Sequence, residues 1–170
     1  FKSRPRFMSK SGLTPAERGT AMHKVMQFID FNNAEKDLNL ELERLYEYEF
    51  LSLEEYESLE RNALQNFFKS NLYNRLKNAE KVLREYKFMV NYPYEGSETI
   101  VQGIADCIFF ENGNAIIVDF KTDNVSSLNE LTERYSKQLD IYKLAISEIF
   151  SVTVSECIIY STHLSSEISI

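Results

Sequence analysis

The chain has no tryptophan, two cysteines, three prolines and five glycines in 170 residues, and each scarcity excludes something. Cys107 and Cys157 are too few and too far apart for a disulfide framework or a four-thiolate metal site, and they suit a reducing cytoplasm. Glycine and proline at this level exclude collagen-like and low-complexity chains. Apolar runs stay short, Ala115–Val118 being typical, whereas a bilayer span needs ~20 residues; no membrane segment is expected. A basic-then-apolar leader is lacking, so no signal peptide is expected either. No G-x-x-x-x-G-K-[ST] phosphate loop occurs, so any ATP hydrolysis has to lie outside this stretch. The first residue is Phe1, which suggests a piece of a longer polypeptide.

Apolar residues make up 44% and charged residues 26%, the usage of one ordinary globular domain. The net charge of −7 argues against a free-standing domain that grips nucleic acid by bulk attraction. Its distribution says more. Residues 31–60 hold ten acids and two bases, or −8, which leaves the rest of the chain at +1. An arm over residues 1–12 is basic, with Lys2, Arg4, Arg6 and Lys10. The acidic stretch reads either as a solvated helical face or as a docking surface for a basic partner domain.

Thr14-Pro15-Ala16-Glu17 predicts a helix start: Thr14 caps, Pro15 takes the first helical position and Glu17 completes a capping box. Met22, Val25, Met26 and Ile29 then recur at helical spacing to about Asp30. Residues 33–80 read as an acidic helical insertion without proline or glycine; Ser52 with Glu55 forms a second capping box, and 70–80 a further short helix. After Glu80 the period changes. Strands are predicted over 82–90, 99–110 and 115–121, with a turn at Tyr92-Pro93-Tyr94-Glu95-Gly96 and a two-residue hairpin connection at Asn112-Gly113. A loop over 123–129, a long helix over 131–150 and a strand over 156–161 complete the order. A strand reached through a helix is expected to lie parallel to its neighbour. The fold class is therefore α/β: a mixed sheet, made of an antiparallel three-strand meander plus one parallel strand after a crossover helix, flanked by helices.

The chemistry concentrates at the end of the third strand. In Val118-Asp119-Phe120-Lys121, alternation points Asp119 and Lys121 to one face and Phe120 to the other. A carboxylate at the end of so apolar a strand is costly unless paired or bound to a metal. With a two-residue turn at Asn112-Gly113, Asp106 falls directly opposite Asp119, their Cβ atoms within ~5.5 Å. Two carboxylates that close repel unless a cation lies between them, and hard oxygen donors suit Mg²⁺ or Mn²⁺. Lys121 then stabilises phosphate charge or the attacking water. The competing reading is a buried ion pair between Asp119 and Lys121 with no metal at all.

Gly103-Ile104-Ala105-Asp106, Asp119-Phe120-Lys121 and Gln138-Leu139-Asp140-Ile141-Tyr142 together resemble the motifs of the PD-(D/E)XK nuclease superfamily, and more narrowly those of its RecB-like branch. The opening Leu13-Thr14-Pro15-Ala16-Glu17-Arg18-Gly19-Thr20-Ala21-Met22-His23 is similar to the start of the AddA-type nuclease domains of AddAB (RexAB) helicase–nucleases. The resemblance covers nearly the whole chain. It implies a restriction-endonuclease-like fold, one nuclease domain over 1–170, and Mg²⁺-dependent (or Mn²⁺-dependent) DNA cleavage in double-strand break repair and recombination. It makes Asp106, Asp119, His23 and the Phe120 backbone carbonyl the metal ligands and Lys121 a catalytic residue. A neutral imidazole beside two carboxylates is a reasonable third ligand, although a lone histidine there is more often a hydrogen-bonded boundary residue. Gln138 and Tyr142, four apart on one helix face with Tyr135 a turn earlier, become strand-positioning residues. Thr122 either touches phosphate or caps the strand end. Glu85 is a further acidic candidate whose register the sequence leaves open.

The resemblance further implies a parent chain with ATP-driven helicase domains that feeds single-stranded DNA to the site, and a partner of the AddB/RexB type. Two cysteines cannot supply the four-cysteine iron–sulfur staple of some RecB-like nucleases, so no cluster is expected. A stand-alone RecB-like or restriction-type nuclease, and a degenerate nuclease fold acting as a scaffold, are the alternatives. Intact Asp106, Asp119 and Lys121 speak against the scaffold.

Overall fold

A computed structural model describes residues 12–94 and 96–170. The basic arm over 1–12, Gly12 apart, and Glu95 of the expected turn lie outside the described residues. The chain divides into two compact units, 1–61 and 62–170, with the division inside the stretch read as an insertion.

The first unit is helical: α1 (Pro15–Phe28), α2 (Phe31–Lys36), α3 (Leu38–Glu47) and α4 (Leu53–Ser58). Helix α1 starts as its sequence dictates, with Glu17 N–H donating to Thr14 Oγ1 at 3.3 Å and Thr14 N–H to Glu17 Oε2 at 2.8 Å. Met22, Val25, Met26 and Ile29 are buried. The acidic stretch is not one long helix, because side chains that compete for backbone N–H groups cut it into short ones. Asp30 caps α2, Asp37 ends α2 and caps α3, and Ser52 caps α4 in the expected box with Glu55. Helix α2 also begins at Phe31, ahead of the expected boundary at 33.

Among the described residues of this unit Glu41 is the buried charge, 2% exposed. Its Oε1 accepts from Asp30 N–H at 2.7 Å, and Arg44 donates to both its oxygens at 2.8 and 2.6 Å. Burial pushes this carboxyl up, but the Arg44 hydrogen bond and the Asp30 N–H outweigh it and hold the group below the usual carboxylate range. Its contribution to stability is thus full above the ordinary carboxylate pKa of ~4.3 and fades as pH falls through the lower folded value. Glu41→Gln is expected to cost about 2–3 kcal/mol at neutral pH and to flatten the acid limb of a melting-temperature-against-pH curve. A variant with the wild-type acid slope contradicts this role.

The second unit carries α5 (Arg61–Phe68, all but its first residue), α6 (Asn71–Lys77), α7 (Leu128–Phe150) and five strands. These are β1 (Lys81–Tyr94), β2 (Ser97–Glu111), β3 (Asn114–Lys121), β4 (Val154–Ser161) and β5 (Ser166–Ser169), in the sheet order β1-β2-β3-β4-β5. Pairing is antiparallel except between β3 and β4, which run parallel through the α7 crossover. The mixed sheet is therefore the one expected, with a fifth strand added. Strand β5 is four residues of Ser-Glu-Ile-Ser, too short and polar to announce itself. Strand β1 runs on to Tyr94, past the expected end at Val90, and Tyr92-Pro93-Tyr94 pairs with 97–99 where a turn was expected. Proline is tolerated there because β1 is an edge strand. Asn112 and Gly113 adopt φ of 52° and 74°, the left-handed pair that a tight hairpin needs.

Two layers cover the sheet. On one face Ile108, Ala115, Ile117, Cys157 and Ile159 meet Leu131, Leu139, Ala145 and Ile146 of α7. On the other, Phe67 of α5 lies edge-on to Phe120 and Tyr160, at 5.6 and 5.2 Å between ring centres. Arg75 of α6 ties that layer down through Glu111 at 2.8 Å and Glu156 at 2.9 Å.

Candidate active site

Strand register assembles the candidate site. The pairs Cys107↔Val118 through Glu111↔Asn114 put Asp106 across from Asp119 if continued by one residue, as the hairpin arithmetic requires. At that point the ladder opens. Asp106 Oδ2 accepts from the backbone N–H of Phe120 at 2.8 Å, so a side chain takes the place of a strand partner. A residue's N–H and C=O leave an extended strand on the same edge, so the Phe120 carbonyl also faces the β2 side, beyond the last β2–β3 pair.

On the other flank of β2, Arg84↔Cys107 and Tyr86↔Ala105 bracket Glu85 and Asp106. Glu85 stands there with φ of 50°, left-handed for a residue with a side chain. The consequence is visible in packing. Before Glu85 the odd-numbered Leu83 turns to the α7 core; after it the even-numbered Tyr86, Phe88 and Val90 do. On β2, Phe110 and Ile108 face that core below the switch, and Ala105 and Val101 above it. The twist leaves the carboxylates at the turnover point, with one oxygen of Glu85 within 4.8 Å of one of Asp106. Glu85, Asp106 and Asp119 thus form a row across three adjacent strands.

Asp119 is 2% exposed, and its Oδ2 lies 2.8 Å from Lys121 Nζ. Burial alone pulls the Lys121 ammonium down, but the Asp119 carboxylate more than offsets it and holds the pKa above the usual lysine range. Lys121 is therefore a cation and a donor at neutral pH, not a base. Three carboxylates against one ammonium leave a formal charge of −2, which favours a divalent cation. All the donors in this row are oxygens, the chemistry that Mg²⁺ and Mn²⁺ take.

Helix α7 supplies the rim. Gln138 Nε2 donates to Tyr142 Oη at 2.9 Å. Burial, with the Asp119 and Asp106 charges, raises the Tyr142 phenol despite that bond, so it keeps a proton to give. The Tyr142 ring meets Phe88 edge-on at 4.9 Å. Gly103 of the Gly-x-x-Asp motif explains how Phe88 fits, since a Cβ at 103 would run into Phe88 Cζ. Thr122 is half-buried just past β3. His23 is half-buried on α1, in the first unit. Tyr135 and Asp123 are the residues that sequence reasoning left out of the site. Tyr135 lies under Lys121, with the ammonium 4.0 Å from the ring centre, and its hydroxyl donates to Asp123 at 3.0 Å. The spacing of Tyr135 one turn before Gln138 was the available signal.

Residues 3–162 match the PD-(D/E)XK nuclease superfamily. The chain belongs to this superfamily. It is 36% identical over 180 residues to the AddA-type ATP-dependent helicase/nuclease of Geobacillus thermodenitrificans (strain NG80-2), covering 94% of this chain and 14% of that protein. It is 35% identical over 184 residues to the helicase/nuclease of the same description from Clostridium novyi (strain NT), covering 98% of this chain and 15% of that protein. The chain thus spans about one-seventh of the curated relatives it matches. A solved structure described as "Crystal structure of SSO0001" superposes with a TM-score of 0.43 at 16% identity, over 86% of this chain and 63% of that one, too slight a likeness to carry any argument. As a PD-(D/E)XK member the chain is a nuclease domain, and no helix among its described residues is long and apolar enough to cross a membrane.

Proposed function

We propose that residues 1–170 act as one metal-dependent DNA exonuclease domain of an ATP-dependent helicase–nuclease, serving double-strand break repair and recombination in the cytoplasm. The observation that carries this reading is the carboxylate row Glu85, Asp106 and Asp119 with Lys121 beside it. In this reading Asp106, Asp119, Glu85, His23 and the Phe120 carbonyl hold Mg²⁺ or Mn²⁺. The ion supplies Lewis-acid polarisation of a phosphodiester and stabilises the charge that develops on it. Lys121 presents a fixed positive charge to the scissile phosphate, in a pocket where it keeps its proton. Tyr142, braced by Gln138, donates a hydrogen bond from its phenol to a DNA strand and sets its path, and the Thr122 hydroxyl contacts the neighbouring phosphate.

The relatives' description as ATP-dependent helicase/nuclease supports helicase domains and ATP binding in the parent chain, and delivery of single-stranded DNA by that motor is proposed with them. Such delivery reconciles a nuclease domain with a net charge of −7. A protein of the AddB/RexB type is the proposed partner. Burial pushes the Cys107 and Cys157 thiols up to about 12 and about 11, and no iron–sulfur cluster is proposed for a chain with two cysteines. The test uses the full-length polypeptide with its partner, ATP and linear DNA. Degradation is expected with Mg²⁺ or Mn²⁺, and arrest of degradation when a chelator removes the ion. DNA that survives in the presence of either cation contradicts the proposal.

A further inference from the structure

The nuclease reading uses Lys121 but says nothing of what holds its ammonium in place. A lysine side chain is a point charge on a flexible four-carbon stem, and fixing it requires contacts on more than one side. Lys121 has two such contacts. Asp119 Oδ2 lies 2.8 Å from Nζ, and the Tyr135 ring centre lies 4.0 Å from the same atom, close enough for the ring face to attract a cation. Only 13% of the lysine side chain is exposed.

Tyr135 is itself fixed. Its hydroxyl donates to the Asp123 carboxylate, with the two oxygens at 3.0 and 3.2 Å. Asp123 is in turn met by Arg134 Nη1 at 3.3 Å. Tyr135 and Arg134 come from α7, and Asp123 from the loop two residues past Lys121, so helix and loop close around the ammonium from different parts of the unit. Asp119 has a second duty as a proposed cation ligand, whereas the ring has none.

We infer that Tyr135 is a positioning residue for Lys121: its ring face holds the ammonium beside the carboxylate row, and Asp123 holds the ring. This inference rests on the nuclease reading. It distinguishes Tyr135 from Gln138 and Tyr142, which are assigned to the DNA strand. The ring face, and not the hydroxyl, is the part that touches Lys121. Losing the ring therefore slows the chemical step and leaves strand binding largely intact.

The test compares Tyr135→Leu, Tyr135→Phe and wild type in the full-length polypeptide with its partner. Tyr135→Leu is expected to lower kcat about tenfold with KM for DNA within about twofold. Tyr135→Phe, which keeps the face and loses only the Asp123 bond, is expected to stay within about threefold of wild type. A second readout needs neither activity nor added metal: acylation of Lys121 by an amine-directed reagent, followed by mass spectrometry of its peptide. It is expected to run at least about threefold faster in Tyr135→Leu and near the wild-type rate in Tyr135→Phe. Should Tyr135→Leu melt early, Tyr135→Met takes its place, filling the volume without an aromatic face, and a similar fall in kcat with faster acylation is expected. Wild-type kcat and acylation in Tyr135→Leu or Tyr135→Met, or an equal loss in Tyr135→Phe and Tyr135→Leu, overturns the positioning role alone. A wild-type chain that leaves DNA intact with Mg²⁺ or Mn²⁺ overturns the nuclease reading and this inference with it.

Discussion

Asp119→Ala is expected to reduce DNA cleavage by about a thousandfold, roughly 4 kcal/mol of transition-state stabilisation, with the helicase activity proposed for the parent chain unaltered. Asp119 joins three parts of the site. It closes the carboxylate row opposite Asp106, it pairs with Lys121 at 2.8 Å, and it sits near the end of a strongly apolar strand, 2% exposed. Removing it takes away one oxygen donor set and leaves the largely buried Lys121 ammonium without its carboxylate, so part of the effect passes through folding. Asp119→Asn separates the two. The amide keeps the shape and one oxygen but not the charge, so cleavage is expected to fall nearly as far while the melting temperature stays within a few degrees. Cleavage by either variant within about tenfold of wild type would remove Asp119 from the site.

Phe67→Ala is expected to be the most destabilising single truncation on the opposite face of the sheet, by about 3–5 kcal/mol. Phe67 is 1% exposed and touches four rings: Phe68 at 5.4 Å, Tyr73 at 5.7 Å, Phe120 at 5.6 Å and Tyr160 at 5.2 Å between centroids. These edge-on contacts fix α5 against β3 and β4, and an alanine leaves a cavity that rigid strands cannot close. The melting temperature is expected to drop by about 10 °C or more, with Phe67→Leu losing well under half as much. The site has a stake in this layer, because Phe120 is the residue between Asp119 and Lys121. Its ring faces Phe67 while its backbone faces Asp106. A Phe67→Ala variant that melts within about 2 °C of wild type contradicts this account of the layer.

How much of the fold and site is legible in the sequence follows from range. The α1 capping box, the Ser52 box and the Asn112-Gly113 hairpin are local devices, and each appears where its residues put it. The Asp106–Asp119 opposition was legible because a two-residue turn leaves a single register. Glu85 was not. Its place opposite Asp106 depends on the long β1–β2 pairing, and its left-handed φ reverses which side chains point inward, which no alternation pattern reveals. Tyr135 and Asp123 escaped for a similar reason, since their meeting over Lys121 needs α7 to cross the end of β3. Short β5 and the splitting of the acidic stretch ahead of Ser52 depended on tertiary pairing and on the Asp30 and Asp37 caps, which periodicity overlooks.

The most direct test of the central claim is a calorimetric titration of the metal-free full-length polypeptide with Mn²⁺, wild type against the Asp106→Asn/Asp119→Asn double variant. The expected result is a saturable binding event in the wild type that disappears in a double variant with an unchanged far-ultraviolet circular dichroism spectrum. Equal binding by both proteins would show that the cation is held elsewhere, and the carboxylate row would lose its assigned role.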